Sequence, residues 1–168
     1  MMFYTSVICR ESVSFPELLH EAETTLSQEG ILKQEPNGFT YLDVDDGYLT
    51  HLGEWIKKDG FEIPPYLAPG LAGAHITLVR PPRLGEELFS KKATPIEPLS
   101  LPQMDEVGET FSFSLKGCEI VKPRALPNVE SLFIITVHAP RLEELIDKYH
   151  LPHLGFDFHI TIGMKSRK

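Results

Sequence analysis

Phe158-His159-Ile160-Thr161-Ile162-Gly163 nearly repeats what the chain has already written at Ala74-His75-Ile76-Thr77-Leu78-Val79. Both stretches are dense in Ile, Val, Leu, Thr and Phe, which favour strand, and on a strand alternate side chains share a face. His75 and Thr77 then point one way, Ile76 and Leu78 the other. In the second copy His159 and Thr161 share a face while Phe158, Ile160 and Ile162 line the opposite one. At roughly 3.3 Å rise per residue, an imidazole and a hydroxyl two positions apart sit about 6.5 Å along the strand, close enough to grip one tetrahedral group. If the two strands lie side by side, two imidazoles and two hydroxyls converge.

Outward from each copy the same order of elements recurs. Upstream of the first, Phe39 to Val44 reads as a strand. Asp45-Asp46 can cap a helix carrying Tyr48, Leu52, Trp55 and Ile56 on one face, and Asp59-Gly60 ends it. A proline-rich loop from Ile63 to Pro69 then carries Tyr66. Upstream of the second, Leu132 to Val137 is a strand and Pro140 opens a helix with Leu142, Leu145, Ile146 and Tyr149. Strand, amphipathic helix and motif strand thus occur twice, with the longer loop in the first unit. Before the first unit, Ser14-Phe15-Pro16-Glu17 resembles a capping box leading into Leu18, Leu19, Ala22 and Leu26 at helical spacing, with Gly30 as a natural stop. Between the units lie a Pro-rich connection from Pro81 to Gly108, a strand over Thr110 to Val121 and a turn-rich loop from Lys122 to Glu130.

Length and composition set the bounds. The 168 residues suit one domain with a sizeable core. We divide it into an N-terminal extension with one helix (1–38), a first motif half (39–80) and a second (110–165). The formal charge of −8 argues against an extended nucleic-acid face, which needs a Lys and Arg surplus to displace counterions. The deficit is uneven: up to Gly60 there are eleven acidic and four basic residues, and the remainder is nearly balanced, so local anion binding in the second part is allowed. Cys9 and Cys118 are too few for a disulfide framework or a Cys-rich zinc site. The apolar start, Met1 to Cys9, is too short for a signal peptide or a membrane span. These features lead us to expect a cytoplasmic protein with no membrane association.

With these residues in hand, the paired motifs His75-Ile76-Thr77 and His159-Ile160-Thr161 resemble those of the two-histidine (2H) phosphoesterase superfamily, which includes RNA ligase-like proteins, cyclic phosphodiesterases and 2′,5′-oligoadenylate phosphodiesterases. The resemblance covers about Phe39 to Lys165. It implies an α+β fold of two pseudo-symmetric α/β lobes, with mostly antiparallel sheets around a central cleft and one motif strand from each lobe. It also implies a cyclic phosphodiesterase or RNA phosphoesterase, working without cofactor or metal on a small nucleotide, a cyclic phosphate or a short RNA end. His75, His159, Thr77 and Thr161 would be its catalytic residues. One imidazole would deprotonate the attacking oxygen and the other protonate the leaving oxygen, while the threonines donate to non-bridging oxygens. By analogy His159 is the base and His75 the acid for cyclic-phosphate hydrolysis. Tyr41 and Tyr66 are candidates to stack on a base, and Arg80 or Lys165 to approach an anionic ligand. Arg80 alternates away from His75 on an ideal strand, and Lys165 shares the side of His159 only if the strand continues past Gly163. We expect a monomer.

Other readings compete. A single His-x-Thr tripeptide is common by chance, and both histidines could be satisfied strand residues of a structural repeat. Two copies in matching settings favour the site. A zinc centre built from His75, His159 and Asp157 lacks a further clearly placed ligand. A non-catalytic nucleotide-binding or scaffold domain could use the same cleft. His20 and His51 fall in helical patterns, His138 ends a strand, His150 and His153 flank a Leu-Pro turn, and Trp55 reads as core.

Overall fold

A computed structural model describes residues 4–7, 15–67, 72–80, 103–123 and 126–167. In it the two motif strands, β4 (His75–Val79) and β8 (His159–Ser166), lie side by side and antiparallel, with Ile76 paired to Ile160. Each is flanked outward by the strand that precedes its helix. For β4 this is β3 (Thr40–Asp43), followed by β2 (Glu29–Gln34) and β5 (Thr110–Ser112). For β8 it is β7 (Val129–His138), followed by β6 (Ser114–Pro123) and β1 (Tyr4–Val7). Among the described residues the result is one eight-stranded sheet in the order β1-β6-β7-β8-β4-β3-β2-β5, with every neighbouring pair antiparallel. The α+β class implied by the resemblance is thus the observed one.

The outermost strands are exchanged between the halves. β1 opens the chain yet pairs with β6 of the second half, whereas β5, which leads directly into β6, pairs with β2 of the first. This is where the expected single strand over Thr110 to Val121 divides. Its two pieces lie six strand positions apart in the sheet, about 29 Å if the sheet were flat. Phe113 alone separates Ser112 from Ser114, which spans only about 7 Å. The sheet must therefore curl until its two ends approach. Phe113 is anchored at the crossing by its N–H, which donates to the Gln28 carbonyl at 3.0 Å.

Among the described residues three helices cover one face: α1 (Phe15–Thr25), α2 (Gly47–Ile56) and α3 (Pro140–Tyr149). Their apolar stripes, including Leu18, Ala22, Leu49, Leu52, Ile56, Leu142 and Leu145, close over Leu32, Leu42, Ile76, Leu78, Phe133, Ile135, Ile160 and Ile162 as one core. α2, from the first half, packs on β8 of the second, so the helices also tie the halves together. Trp55 is partly buried against this core. A smaller apolar cluster, Val121, Leu132, Ile134 and Met164 with Val129, occupies the opposite face.

One expectation about the start of the chain needs correction. The first helix ends at Thr25, where the Thr24 and Thr25 hydroxyls fold back onto the His20 and Glu21 carbonyls, and not at Gly30. Gly30 instead lies inside β2, a strand the hydrophobic pattern concealed because Ile31 faces outward and Gly30 inward. A Cβ at Gly30 would stand 2.6 Å from the Asp43 carbonyl oxygen and 2.7 Å from Leu42 Cγ, so close strand packing and not helix termination explains the glycine. Residues 4–7 and 15–34 hold β1, α1 and β2. Ser14 of the expected capping box and most of the Pro-rich connection, including Pro98 and Pro102, lie outside the described residues.

Candidate active site

The Ile76–Ile160 pair turns its side chains towards the helices, so the residues on either side of it face away from them. Stepping in opposite directions along the antiparallel strands sets His75 across from Thr161 and Thr77 across from His159. Directly opposed residues have Cα separations of about 4.5–5.5 Å, and diagonal neighbours about 7–8 Å. The two histidines thus occupy one diagonal of a small square and the two threonines the other. All four are half-buried, and among the described residues no hydrogen bond occupies the Thr77 or Thr161 hydroxyl.

Both imidazoles are anchored in the same way. His75 Nδ1–H donates to the Gly73 carbonyl at 2.8 Å, and His159 Nδ1–H to the Asp157 carbonyl at 3.0 Å. A carbonyl only accepts, so each Nδ1 carries the proton and each neutral ring keeps its lone pair on Nε2. Burial lowers both imidazoles below their ordinary pKa because a buried ring holds charge poorly. For His75 the Gly73 carbonyl and the Asp43 carboxylate work the other way. For His159 the Asp157 carbonyl and, more weakly, the Asp157 carboxylate also oppose burial, while His75 and the Arg80 guanidinium lower it further.

The carbonyl behind His75 is positioned from α2. Asp46, at the start of that helix, makes no side-chain cap; its Oδ1 accepts the Ala74 N–H at 3.0 Å. Asp45 does the local work, accepting the Gly47 N–H at 2.8 Å. Gly73 has φ +65°, and a Cβ there would meet Asp46 Oδ1 at 2.6 Å. Behind His159, Asp157 is tied to Lys116 of β6 at 3.3 Å.

Other candidates fall in different places. Tyr41 is buried beside His75, their ring centres 5.6 Å apart and edge-on, and it stacks on Phe39 at 4.4 Å. Its hydroxyl donates to Glu35 at 2.7 Å, and burial together with that carboxylate pushes it up to about 12. Arg80 follows the last residue of β4 and so escapes the strand alternation. Its guanidinium sits 5.1 Å over the Phe156 ring, which itself lies 5.2 Å from the His159 ring. Lys165 does not join them. The strand does continue past Gly163, but a bulge opposite Phe133 and Ile134 reverses its alternation. Gly163 then faces the helices, and Lys165 Nζ lies 4.6 Å from the Phe61 ring centre. The Tyr66 backbone forms part of a 3-10 turn, Pro65–Leu67, and its side chain lies outside the described residues.

Asp43, Asp46, Phe39 and Phe156 were not singled out in the sequence. Asp43 had a signal, since it interrupts the apolar strand that opens the first motif half; Asp46 read only as a helix cap. His20, His51, His138 and His153 are exposed, and His150 closes α3 in the left-handed conformation. Among the described residues no three His, Cys, Asp or Glu side chains come together as a metal would require. Burial pushes the Cys118 thiol up to about 12, far from a reactive thiolate. No helix among the described residues is long and apolar enough to cross a membrane.

The curled antiparallel sheet thus has two central strands that each present a His and a Thr on the same face. A family model described as Swiss Army Knife, 2H phosphoesterase domain matches residues 40–168, and the chain belongs to the 2H phosphoesterase family. Membership makes it a phosphoesterase of the hydrolase class. No curated protein and no solved structure matches the chain.

Proposed function

We propose that this chain is a metal-independent phosphodiesterase that hydrolyses 2′,3′-cyclic phosphates or short RNA ends by acid–base catalysis between His75 and His159. The observation that carries the reading is the matched anchoring of the two imidazoles, which commits each Nδ1–H to a carbonyl and so puts the basic lone pair of each neutral ring on Nε2. In cyclic-phosphate hydrolysis His159 Nε2 takes a proton from water as the new P–O bond forms. The P–O bond to the ribose breaks on the opposite side, and the leaving oxygen takes the proton held on His75 Nε2. Thr77 and Thr161 donate to the non-bridging oxygens, where charge gathers. Solvent exchange returns both rings to their starting protonation. The Phe39–Tyr41 stack beside His75 supports a base on that side, and Arg80 supports an anionic substrate on the other. The substrate is a small nucleotide or a short RNA, and the protein is a cytoplasmic monomer.

The test is turnover of the four 2′,3′-cyclic nucleotides, with and without EDTA. His75→Ala and His159→Ala should each lower kcat by ~10²–10⁴-fold, and wild-type turnover should survive EDTA. Wild-type rates in both variants would refute the proposal, and binding of AMP or 2′,3′-cyclic AMP without product would favour a nucleotide-binding domain.

A further inference from the structure

The two halves differ at the positions that pair with the two histidines. On β3 the residue paired with His75 is Asp43; on β7 the residue paired with His159 is Thr136. Directly opposed residues in antiparallel strands share a face and lie side by side. His75 therefore stands next to a carboxylate, and His159 next to a hydroxyl that donates to the Gly117 carbonyl at 3.3 Å. The asymmetry is reinforced from β4, because Arg80 reaches the Phe156 ring beside His159. Asp43 is itself held in place by Lys33 of β2, whose Nζ lies 2.7 Å from its Oδ2.

We propose that Asp43 is a positioning residue that makes His75 the proton donor of the catalytic pair and leaves His159 as the base. This rests on the acid–base reading of the two histidines. When an anionic phosphate enters, the pair binds one proton, and the proton stays where negative charge is nearest. Around His75 the charged and titratable groups are Asp43 on β3, His159 on β8, Lys33 on β2 and Glu35 just after it, and Asp46 at the start of α2, where it accepts the Ala74 N–H; the Tyr41 hydroxyl already donates to Glu35. Around His159 they are His75 and Arg80 on and after β4, Lys116 and Glu119 on β6, and Asp157 ahead of β8. Lys116 and Asp157 pair beside His159 at 3.3 Å as Lys33 and Asp43 pair beside His75 at 2.7 Å, and each carboxylate raises its own imidazole; the difference is that Asp43 stands directly opposite its ring on the neighbouring strand, where His159 has Thr136, and that the Arg80 guanidinium lowers His159. Lys33 neutralises part of the Asp43 charge without removing it, since the ion pair is partly exposed and screened.

The experiment follows both imidazoles by NMR titration in the full chain and records kcat/KM against pH on a 2′,3′-cyclic nucleotide. In Asp43→Asn the His75 midpoint should move to lower pH and that of His159 should not fall. The alkaline limb of the rate profile should follow His75 downward. Lys33→Met, which unmasks the carboxylate, should move His75 the other way, and Asp43→Glu should restore the wild-type order. In Asp43→Asn/Thr136→Asp, His159 should become the later of the two to lose its proton. Unchanged titrations in both Asp43→Asn and Lys33→Met would overturn the proposal even if His75→Ala and His159→Ala are inactive. Conversely, if those alanine variants keep wild-type turnover while the titrations shift as expected, the acid–base reading fails and Asp43 is shown to tune an imidazole that does no chemistry.

Discussion

Replacing Asp46 with Ala tests whether His75 is held from a distance. Asp46 accepts the Ala74 N–H at 3.0 Å, a bond between an exposed carboxylate and a fully buried residue. A hydrogen bond to a charged group contributes about 1.5–3 kcal/mol net, and an orphaned buried amide loses a comparable amount. At ~2–4 °C per kcal/mol for a chain of this size, Asp46→Ala should lower Tm by roughly 3–12 °C. The functional effect follows from the next residue back. The Gly73 carbonyl is bonded to His75 Nδ1, and releasing the Ala74 amide frees that carbonyl to move. A misplacement of ~1 Å at a reacting group lowers rate by up to about 10²-fold. Thermal melts and kcat/KM, measured well below the melting range, read the two consequences separately. Asp46→Asn keeps an acceptor oxygen and should recover most of both. An Asp46→Ala protein that melts within about 1 °C of wild type and keeps its kcat/KM would refute the reasoning.

Two further outcomes follow from the packing and electrostatics. Gly163→Ala would bring a Cβ to 2.5 Å from Ile56 Cδ1 and 3.1 Å from Phe61 Cβ, so urea denaturation should show a loss of about 1–3 kcal/mol from overpacking; a neutral result would mean that α2 yields easily. Because burial lowers both imidazoles below the ordinary value of about 6.5, kcat/KM should rise as His159 loses its proton, fall as His75 loses its own, and peak on the acid side of pH 6.5. Substrate charge raises both in the complex, so the kcat maximum should lie at higher pH; a kcat/KM peak near pH 8 would contradict the assignment. The same shifts bear on stability. Rings that are neutral when folded and charge more readily when unfolded contribute nothing adverse above about pH 6.5 and oppose folding as pH falls below it.

Much of the site was legible because its information is local. An imidazole and a hydroxyl two residues apart on a strand share a face whatever the rest of the chain does, and two such strands with matching surroundings point to a common cleft. The helices α2 and α3 were equally readable, since each carries an apolar stripe at helical spacing. β2 was not, because its inward positions are Gly30 and Leu32 and its outward one is Ile31, an arrangement that gives no clean alternation. Nor was the division of Thr110 to Val121, where the residues are strand-forming throughout and only the pairing partners change.

The amino-acid sequence by itself determined the four side chains at the centre, the faces they occupy and the strand–helix–strand order that carries them, because those properties depend on neighbours a few residues away. Tertiary structure alone decided the rest. It set the register that places each histidine across from the other motif's threonine, exchanged β1 and β5 between the halves, and turned Lys165 away through a bulge. It also brought Asp43 and Thr136 to equivalent places beside the two imidazoles. Each of these is a long-range relation between strands, and a charge acts on the ring that pairing puts next to it, however far away the two stand in the chain.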